Sequence, residues 1–163
     1  MSFKFEHLSV LVVEDTLPMR KIIHAVLMTL GVGNIYNADG GEEGFRSFVR
    51  HNQDIIITDW HMPKSSGLEL IEMVRRSANS PNRFVPIIMM TGYSAFPRVS
   101  EARDTGVTEF LVKPFTADDL AKRIAHVINK PRDFIESKNY FGPDRRRRKN
   151  DSYQGSERRK RPK

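Results

Sequence analysis

Cysteine is absent from this chain, and its absence excludes disulfide bonds and thiolate chemistry. No uninterrupted apolar stretch is long enough to cross a membrane, and residues 1–7 carry charged side chains where a secretory signal would be apolar. Repeats at solenoid periods are also lacking. With 163 residues, of which 39% are hydrophobic, the chain has enough apolar material for one domain core. We therefore expect a cytoplasmic protein without a membrane span.

The net positive charge of the chain lies in its C-terminal part. Residues 1–130 contain 15 Lys+Arg and 15 Asp+Glu, whereas residues 131–163 contain 12 Lys+Arg and only 5 Asp+Glu. The C-terminal part is poor in aliphatic residues and includes Pro131, Pro143 and Pro162, so it has little apolar surface to bury. We predict a globular domain over residues 1–130 and a basic tail over 131–163 that is disordered until a ligand orders it.

Short apolar runs alternate with longer amphipathic segments along the globular part. The runs that predict strands are 8–13, 33–38, 54–58, 85–90 and 108–112. The amphipathic segments that predict helices are 17–30, 41–51, 66–76, 95–105 and 116–129, with candidate N-caps at Thr16, Ser65 or Ser66, and Thr116. Five strand–helix alternations predict an α/β fold, a doubly wound parallel sheet covered by helices on both faces.

Chemically distinctive residues follow the predicted strands. Glu14 and Asp15 end the first, Asp59 ends the third, Thr91 ends the fourth and Lys113 ends the fifth. Parallel strands deliver such residues to one rim of the sheet, where ligands bind in this architecture. Because three crowded carboxylates repel one another, the cluster predicts a hard divalent cation, with magnesium the natural choice.

These residue types also suit phosphoryl transfer to the protein itself. With the cation held by the acids, Asp59 can attack a phosphoryl group while Lys113 stabilises the charge. Thr91 can then hydrogen-bond a phosphoryl oxygen, and the ring of Phe110 can follow the loop that moves. The chemistry predicts a switch without a turnover substrate, and thus not a metabolic enzyme.

The same residues carry a resemblance to a known family. The chain resembles the receiver domains of bacterial two-component response regulators, and especially CheY-like chemotaxis regulators. This resemblance implies a flavodoxin-like sheet of order 2-1-3-4-5, a phosphoacceptor at Asp59, a cis bond before Pro114, and a metal site that includes the backbone carbonyl of His61. It also implies a sensor histidine kinase and a flagellar motor switch protein as partners. The matching segments are Val12–Asp15, Asp59–Pro63, Gly67–Leu70, Met90–Gly92 and Lys113–Phe115.

The tail contains one pattern twice. Residues 140–147 read Tyr-Phe-Gly-Pro-Asp-Arg-Arg-Arg, and residues 153–160 read Tyr-Gln-Gly-Ser-Glu-Arg-Arg-Lys. Arginine can fork onto the O6 and N7 edge of guanine, aromatic rings can stack on bases, and a carboxylate can accept the guanine N1 and N2 hydrogens. Two copies of such a set predict a ligand with two guanines.

The tail resembles the arginine-rich extension of the Cle class of CheY-like proteins, which bind cyclic di-GMP and act at the flagellar motor. That resemblance implies recruitment to the flagellar base or cell pole. The predicted ligand residues are Tyr140, Phe141, Asp144, Arg145, Arg146, Arg147, Arg148, Tyr153, Glu157, Arg158 and Arg159. The alternative is a conventional phosphoacceptor regulator whose tail binds nucleic acid or anionic surfaces nonspecifically, as basic segments commonly do. Asp144 and Glu157 argue against the alternative, since a phosphate coat has no use for carboxylates.

Overall fold

The five predicted strands form one parallel sheet. In the computed structural model, which describes residues 5–92 and 103–144, these strands are β1 (Ser9–Val13), β2 (Asn34–Ala38), β3 (Ile55–Asp59), β4 (Ile87–Thr91) and β5 (Glu109–Val112). Their order across the sheet is β2-β1-β3-β4-β5, and every pairing is parallel. The predicted doubly wound sheet and its 2-1-3-4-5 order are confirmed. No helix of the described residues is both long and apolar enough to span a bilayer.

Within the described residues, four helices with full bounds flank the sheet: α1 (Leu17–Thr29), α2 (Gly41–His51), α3 (Gly67–Arg76) and α4 (Ala117–Asn129). Most of the predicted helix at 95–105 lies outside the described residues. Ser66 caps α3 by accepting from the Glu69 N–H, and Thr116 forms a capping box with Asp119 at α4. Thr16 precedes α1 without capping it, because its hydroxyl instead donates to Oε1 of Glu14 at 2.9 Å.

Hydrophobic cores cover both faces of the sheet. Side chains alternate across a strand, so Leu11 and Val13 of β1 enter one core while Val10 and Val12 enter the other. The first core is completed from α2 and α3, for example by Phe48, and the second from α1 and α4. Burial on both faces explains why these strands read as continuous apolar runs.

Residues 131–144 differ from the expectation of a tail without structure of its own. Strands β6 (Phe134–Ser137) and β7 (Tyr140–Pro143) form an antiparallel hairpin that packs on the globular domain. Tyr140 and Phe141 are each only 8% exposed. The aromatic residues that were expected to remain free for a ligand instead supply the apolar surface that docks this segment. The predicted boundary at residue 130 therefore separates α4 from a docked hairpin.

Candidate functional site

The carboxyl rim of the sheet gathers the predicted acids. One carboxylate oxygen each from Glu14, Asp15 and Asp59 lie within 4.8 Å of one another. Glu14 and Asp15 follow β1, and Asp59 ends the neighbouring β3, so the adjacency of the two strands produces the cluster. Glu14 is 1% exposed, and its Oε2 has no hydrogen-bond partner among the described residues. An acid cluster with an unsatisfied buried oxygen fits an oxygen-preferring divalent cation such as Mg²⁺.

Lys113 supplies the positive charge at this rim. Its Nζ lies 3.2 Å from Oδ1 of Asp59 and 3.6 Å from Oε2 of Glu14. The ammonium reaches both acids because Lys113 directly follows β5, and the Lys113 N–H donates to the Thr91 carbonyl at 2.7 Å. The predicted cis bond between Lys113 and Pro114 is present. Among the described residues, Lys113 pairs with two of the three carboxylates and Nη1 of Arg20 donates to the Glu14 carbonyl oxygen at 3.1 Å, so the acids still outnumber the cations at the site.

Burial and repulsion together raise the pKa of Glu14. Desolvation is the larger cause and the nearby charge of Asp59 is the second, while hydrogen bonds from Thr16 and the charge of Lys113 act in the opposite direction. Oε1 of Glu14 accepts from the N–H and the hydroxyl of Thr16 at 3.2 and 2.9 Å. Burial and, after it, the charge of Asp59 therefore both disfavour the ionised form of Glu14.

Asp59 has a fixed orientation. Its Oδ1 accepts from the backbone N–H of Trp60 at 2.8 Å and also meets the ammonium of Lys113. Trp60 is 2% exposed and packs in the core, which anchors the chain beside the acid. Gly67 allows α3 to start against this strand end, because a Cβ at that position would lie 2.3 Å from the Asp59 carbonyl oxygen.

The structure also places the other predicted rim residues, Thr91, Phe110 and His61, while their roles in a switch stay predictions. Thr91 is the last residue of β4, is 2% exposed, and neighbours Val112 across the sheet. Phe110 lies on β5 and packs, half-buried, against the first core. His61 is exposed, with its ring stacked on Trp60 at a centroid distance of 6.0 Å. The role of the His61 carbonyl as a metal ligand stays a prediction.

The hairpin lies at the opposite end of the sheet and is held by Arg75. This arginine of α3 is fully buried, and it donates to the carbonyl oxygens of Gly106, Arg83 and Val85 and to the Thr108 hydroxyl. Its guanidinium carbon lies 5.0 Å from the ring centroid of Phe134 in β6. Burial lowers the pKa of Arg75 to about 9, so the group stays charged at neutral pH.

Sequence reasoning missed Arg75. The available signal was its spacing, because Arg75 follows Ile71 by four residues and so shares the buried face of α3. A second arginine supports the hairpin from the loop before β4, where the guanidinium carbon of Arg83 lies 3.8 Å from the ring centroid of Phe141. Arginine–aromatic contacts therefore dock the hairpin on the domain.

The predicted ligand residues of the tail fall into two groups. Tyr140 and Phe141 are buried in the hairpin, where the Tyr140 hydroxyl donates to the Pro143 carbonyl at 2.7 Å. Asp144 ends the described segment, and its N–H donates to the Asp133 carbonyl at 2.6 Å. The remaining eight residues lie outside the described part of the chain: Arg145, Arg146, Arg147, Arg148, Tyr153, Glu157, Arg158 and Arg159.

A doubly wound sheet with an acid cluster, a hydroxyl and a lysine at its carboxyl rim has the arrangement of a receiver. The family of response regulator receiver domains matches residues 10–125, and the chain belongs to this family. It is a CheY-like signalling protein by similarity to curated relatives. The chemotaxis protein CheY of Pseudomonas aeruginosa is 33% identical over 123 residues, covering 76% of this chain and 98% of the relative. The CheY homologue of Campylobacter jejuni is 37% identical, covering 74% of this chain and 92% of the relative.

Solved structures show the same fold. Chemotaxis regulator CheY4 of Vibrio cholerae superposes with a TM-score of 0.67 at 30% identity, over 74% of this chain and 98% of that one. The receiver domain of a sensor histidine kinase of Pseudomonas aeruginosa, solved with a magnesium ion coordinated in its active-site cleft, gives a TM-score of 0.68 at 27% identity, over 76% and 98%. The family match ends before Pro131, so it includes neither the hairpin nor the basic tail.

Proposed function

We propose that this protein is a Mg²⁺-dependent phosphoacceptor switch in which Asp59 receives the phosphoryl group. The observation that supports this most is the convergence of three carboxylate oxygens within 4.8 Å, with the ammonium of Lys113 3.2 Å from Asp59. Glu14, Asp15 and Asp59 would hold the cation, whose contribution is to neutralise their charge and that of the incoming phosphoryl group. The backbone carbonyl of His61 is proposed as a further ligand.

Each protein group has a distinct part in the transfer. A carboxylate oxygen of Asp59 forms a bond to phosphorus while the bond from phosphorus to the donor, a phosphohistidine of a sensor kinase, breaks. Lys113 balances charge on the phosphoryl oxygens, and the Thr91 hydroxyl donates a hydrogen bond to one of them. Thr91 and Phe110 lie on adjacent strands, so a movement of Thr91 would change the packing of the half-buried ring of Phe110. This is a signalling step, with no turnover substrate.

The curated relatives suggest which cellular behaviour the switch controls. Several curated relatives are named as chemotaxis proteins, and similarity to them supports chemotaxis as the behaviour that this protein controls. We propose the flagellar motor switch as the partner, with recruitment to the flagellar base. We propose that this partner contacts the face that includes Phe110, because Phe110 lies on β5, the strand adjacent to Thr91 of β4.

A substitution of the acceptor tests the first proposal. Purified protein is incubated with Mg²⁺ and a radiolabelled small-molecule phosphodonor, and label on the protein is counted. We expect wild-type protein to be labelled and Asp59→Asn to lose essentially all label. Asp54→Asn is the matched control, because Asp54 is an exposed carboxylate that precedes β3 and accepts from the Ser9 N–H. Equal labelling of Asp59→Asn and wild type would exclude Asp59 as the acceptor.

A second function is favoured by the repeated pattern in the tail. We propose that residues 140–160 bind cyclic di-GMP, with paired arginines on the guanine edges and Asp144 and Glu157 accepting guanine hydrogens. The hairpin changes the role expected for Tyr140 and Phe141. Because both are buried, they serve mainly to anchor the first copy of the pattern to the domain. Asp144 follows β7 directly, so the docked hairpin fixes where the arginine run begins.

Calorimetry separates specific nucleotide binding from charge effects. The test variant carries Arg145→Ala, Arg146→Ala, Arg158→Ala and Arg159→Ala, which remove four positive charges from the two copies. The control variant also loses four charges, by Lys138→Ala, Lys149→Ala, Arg161→Ala and Lys163→Ala, none of which lies in either copy of the pattern. We expect saturable binding of cyclic di-GMP that is lost in the test variant and retained in the control. Binding that any polyanion reproduces, and that falls equally in both variants and with salt, would favour the nonspecific alternative.

A further inference from the structure

Thr16 occupies the N-cap position of α1 but does not cap that helix. A threonine hydroxyl at this position ordinarily accepts a hydrogen bond from one of the first N–H groups of the helix. The side chain of Thr16 makes no such bond. Its hydroxyl instead donates to Oε1 of Glu14 at 2.9 Å, and its backbone N–H donates to the same oxygen at 3.2 Å. A group suited to helix capping is therefore bonded to an acid of the cluster.

The two hydrogen bonds from Thr16 orient a flexible side chain. Glutamate has one more rotatable bond than aspartate, and its terminal torsion has broad energy minima. Two donors on Oε1 restrict the rotation of the Glu14 carboxylate. Oε2 has no hydrogen-bond partner among the described residues and lies 3.6 Å from Nζ of Lys113. Because Thr16 occupies Oε1, Oε2 is the oxygen of Glu14 that remains for a cation.

The two residues differ in burial. Thr16 is exposed, whereas Glu14 is only 1% exposed. Replacement of the Thr16 side chain therefore leaves both hydrophobic cores intact. A hydrogen bond to a carboxylate stabilises its ionised form, which is the form that binds a cation. Carboxylates that ligate metals are commonly held by such outer hydrogen bonds, so the position and chemistry of Thr16 suit this part.

We propose that Thr16 is a positioning residue of the cation site and that its hydroxyl orients the Glu14 carboxylate for Mg²⁺. This inference rests on the proposed Mg²⁺-dependent switch and adds a residue outside the set of metal ligands. The hydroxyl acts through Glu14 and not on the acceptor Asp59. Its loss should therefore weaken Mg²⁺ binding more than it slows the transfer step itself.

Titration with Mg²⁺ tests the role of the hydroxyl. Binding is followed by calorimetry and by the fluorescence of Trp60, the only tryptophan of the chain, whose backbone N–H donates to Asp59. Thr16→Val replaces the hydroxyl by a methyl group of similar size. We expect the Mg²⁺ affinity to fall about tenfold, the lower end for outer hydrogen bonds, because the backbone N–H still donates to Glu14. Thr16→Ser keeps the hydroxyl and should bind Mg²⁺ as wild type does.

Thr29→Val is the matched control. Thr29 is an exposed residue at the other end of the same helix, and its hydroxyl also makes a hydrogen bond, to the Ala25 carbonyl at 2.9 Å. The Mg²⁺ affinity should be unchanged in this variant. Urea denaturation in chelator checks that each variant is folded. Thr16→Ala also lacks the hydroxyl and takes the place of Thr16→Val if that variant does not fold.

The Mg²⁺ dependence of phosphorylation separates positioning from catalysis. With a radiolabelled phosphodonor, the Mg²⁺ concentration for half-maximal labelling should rise about tenfold in Thr16→Val, while the rate at saturating Mg²⁺ should change by less than about twofold. Wild-type Mg²⁺ affinity in Thr16→Val, or an equal loss in Thr16→Ser, would overturn the role of Thr16 and leave the metal site standing. If wild-type protein binds no Mg²⁺, the proposed switch and this inference both fall.

Discussion

The two ends of the sheet handle buried charge in opposite ways. At the carboxyl end, carboxylates crowd together with one ammonium, and burial raises the pKa of Glu14. At the amino end, the buried guanidinium of Arg75 is satisfied by three carbonyl oxygens and one hydroxyl, with an aromatic ring beside it. At the first end the charge of Asp59 opposes ionisation of the buried Glu14, whereas at the second end hydrogen bonds satisfy the buried charge of Arg75. The acid cluster at the carboxyl end is a candidate cation-binding site. Arg75 with its hydrogen-bond partners and Phe134 is a structural joint that connects the domain to the hairpin.

The joint should be the more sensitive of the two to substitution. Arg75→Met keeps an apolar stem of similar length but removes every donor, leaving buried carbonyl oxygens of Gly106 and Val85 without a partner. We expect the free energy of unfolding to fall by about 3 kcal/mol, as for other broken buried charge networks. Urea denaturation followed by circular dichroism measures the change.

Arg76 provides the control for that substitution. It is the next residue of α3, is exposed, and makes one hydrogen bond, to the Asn139 carbonyl at 3.2 Å. Arg76→Met should cost less than about 0.5 kcal/mol. Equal losses for the two variants would mean that Arg75 contributes no more than a surface arginine does.

Magnesium should raise the free energy of unfolding through the acid cluster, independently of the joint around Arg75. Because the folded protein presents a preformed acid cluster, Mg²⁺ at about one hundred times its dissociation constant should add roughly 2.7 kcal/mol to the free energy of unfolding. The gain should disappear in Asp59→Asn, which removes one of the three acids, and persist in Arg75→Met. Denaturation with Mg²⁺ and with chelator gives the two values; equal stability under both conditions in wild type would argue against a metal site.

Gly106 tests how closely the hairpin fits the joint. Its φ is +119°, and an added Cβ would lie 3.1 Å from Cγ of Arg75 and 3.3 Å from the Phe141 carbonyl oxygen. Gly106→Ala therefore combines backbone strain with crowding, and we expect a loss of about 2 kcal/mol. Gly31 also has a positive φ, +83°, but a Cβ there would meet nothing within 4 Å.

The two alanine variants should therefore differ. Gly31→Ala carries the strain alone, at a cost of about 1 kcal/mol, and its difference from Gly106→Ala measures the fit between hairpin and domain. Thermal unfolding of both variants gives this difference. A larger loss for Gly31→Ala would show that the hairpin accommodates the extra methyl group freely.

The same comparison explains what the sequence could and could not predict. Glu14, Asp59, Thr91 and Lys113 were predictable because each directly follows a short apolar run, and parallel strands bring such residues to one rim. The hairpin was not predictable from composition, since its stability comes from tertiary contacts. Phe134 and Phe141 are too few to form a core of their own, but they dock on Arg75 and Arg83 from distant parts of the chain.

Substitution of Glu14 should give the smallest change in the free energy of unfolding, and this change should depend on pH. Its folded-state pKa is raised above the unfolded value, so the penalty for burying its charge is fully present above the folded pKa and absent below the unfolded pKa. Without metal, the contribution of Glu14 to the free energy of unfolding should therefore decrease as pH rises through this window. Glu14→Gln removes the charge and should be more stable than wild type at neutral pH, by about 1 kcal/mol.

That advantage should vanish as the pH falls below the unfolded pKa of Glu14, because both proteins are then uncharged at residue 14. Urea denaturation in chelator across a pH series gives the difference at each pH. Asp54→Asn is the control, since Asp54 is exposed and lies at the other end of β3. With Mg²⁺ the order should reverse, because wild type keeps all three acids for the cation and Glu14→Gln does not. A Glu14→Gln variant that is less stable than wild type in chelator at neutral pH would mean that Lys113 and Thr16 already compensate the buried charge of Glu14. The acid cluster would then be stabilised by protein groups alone, as Arg75 is.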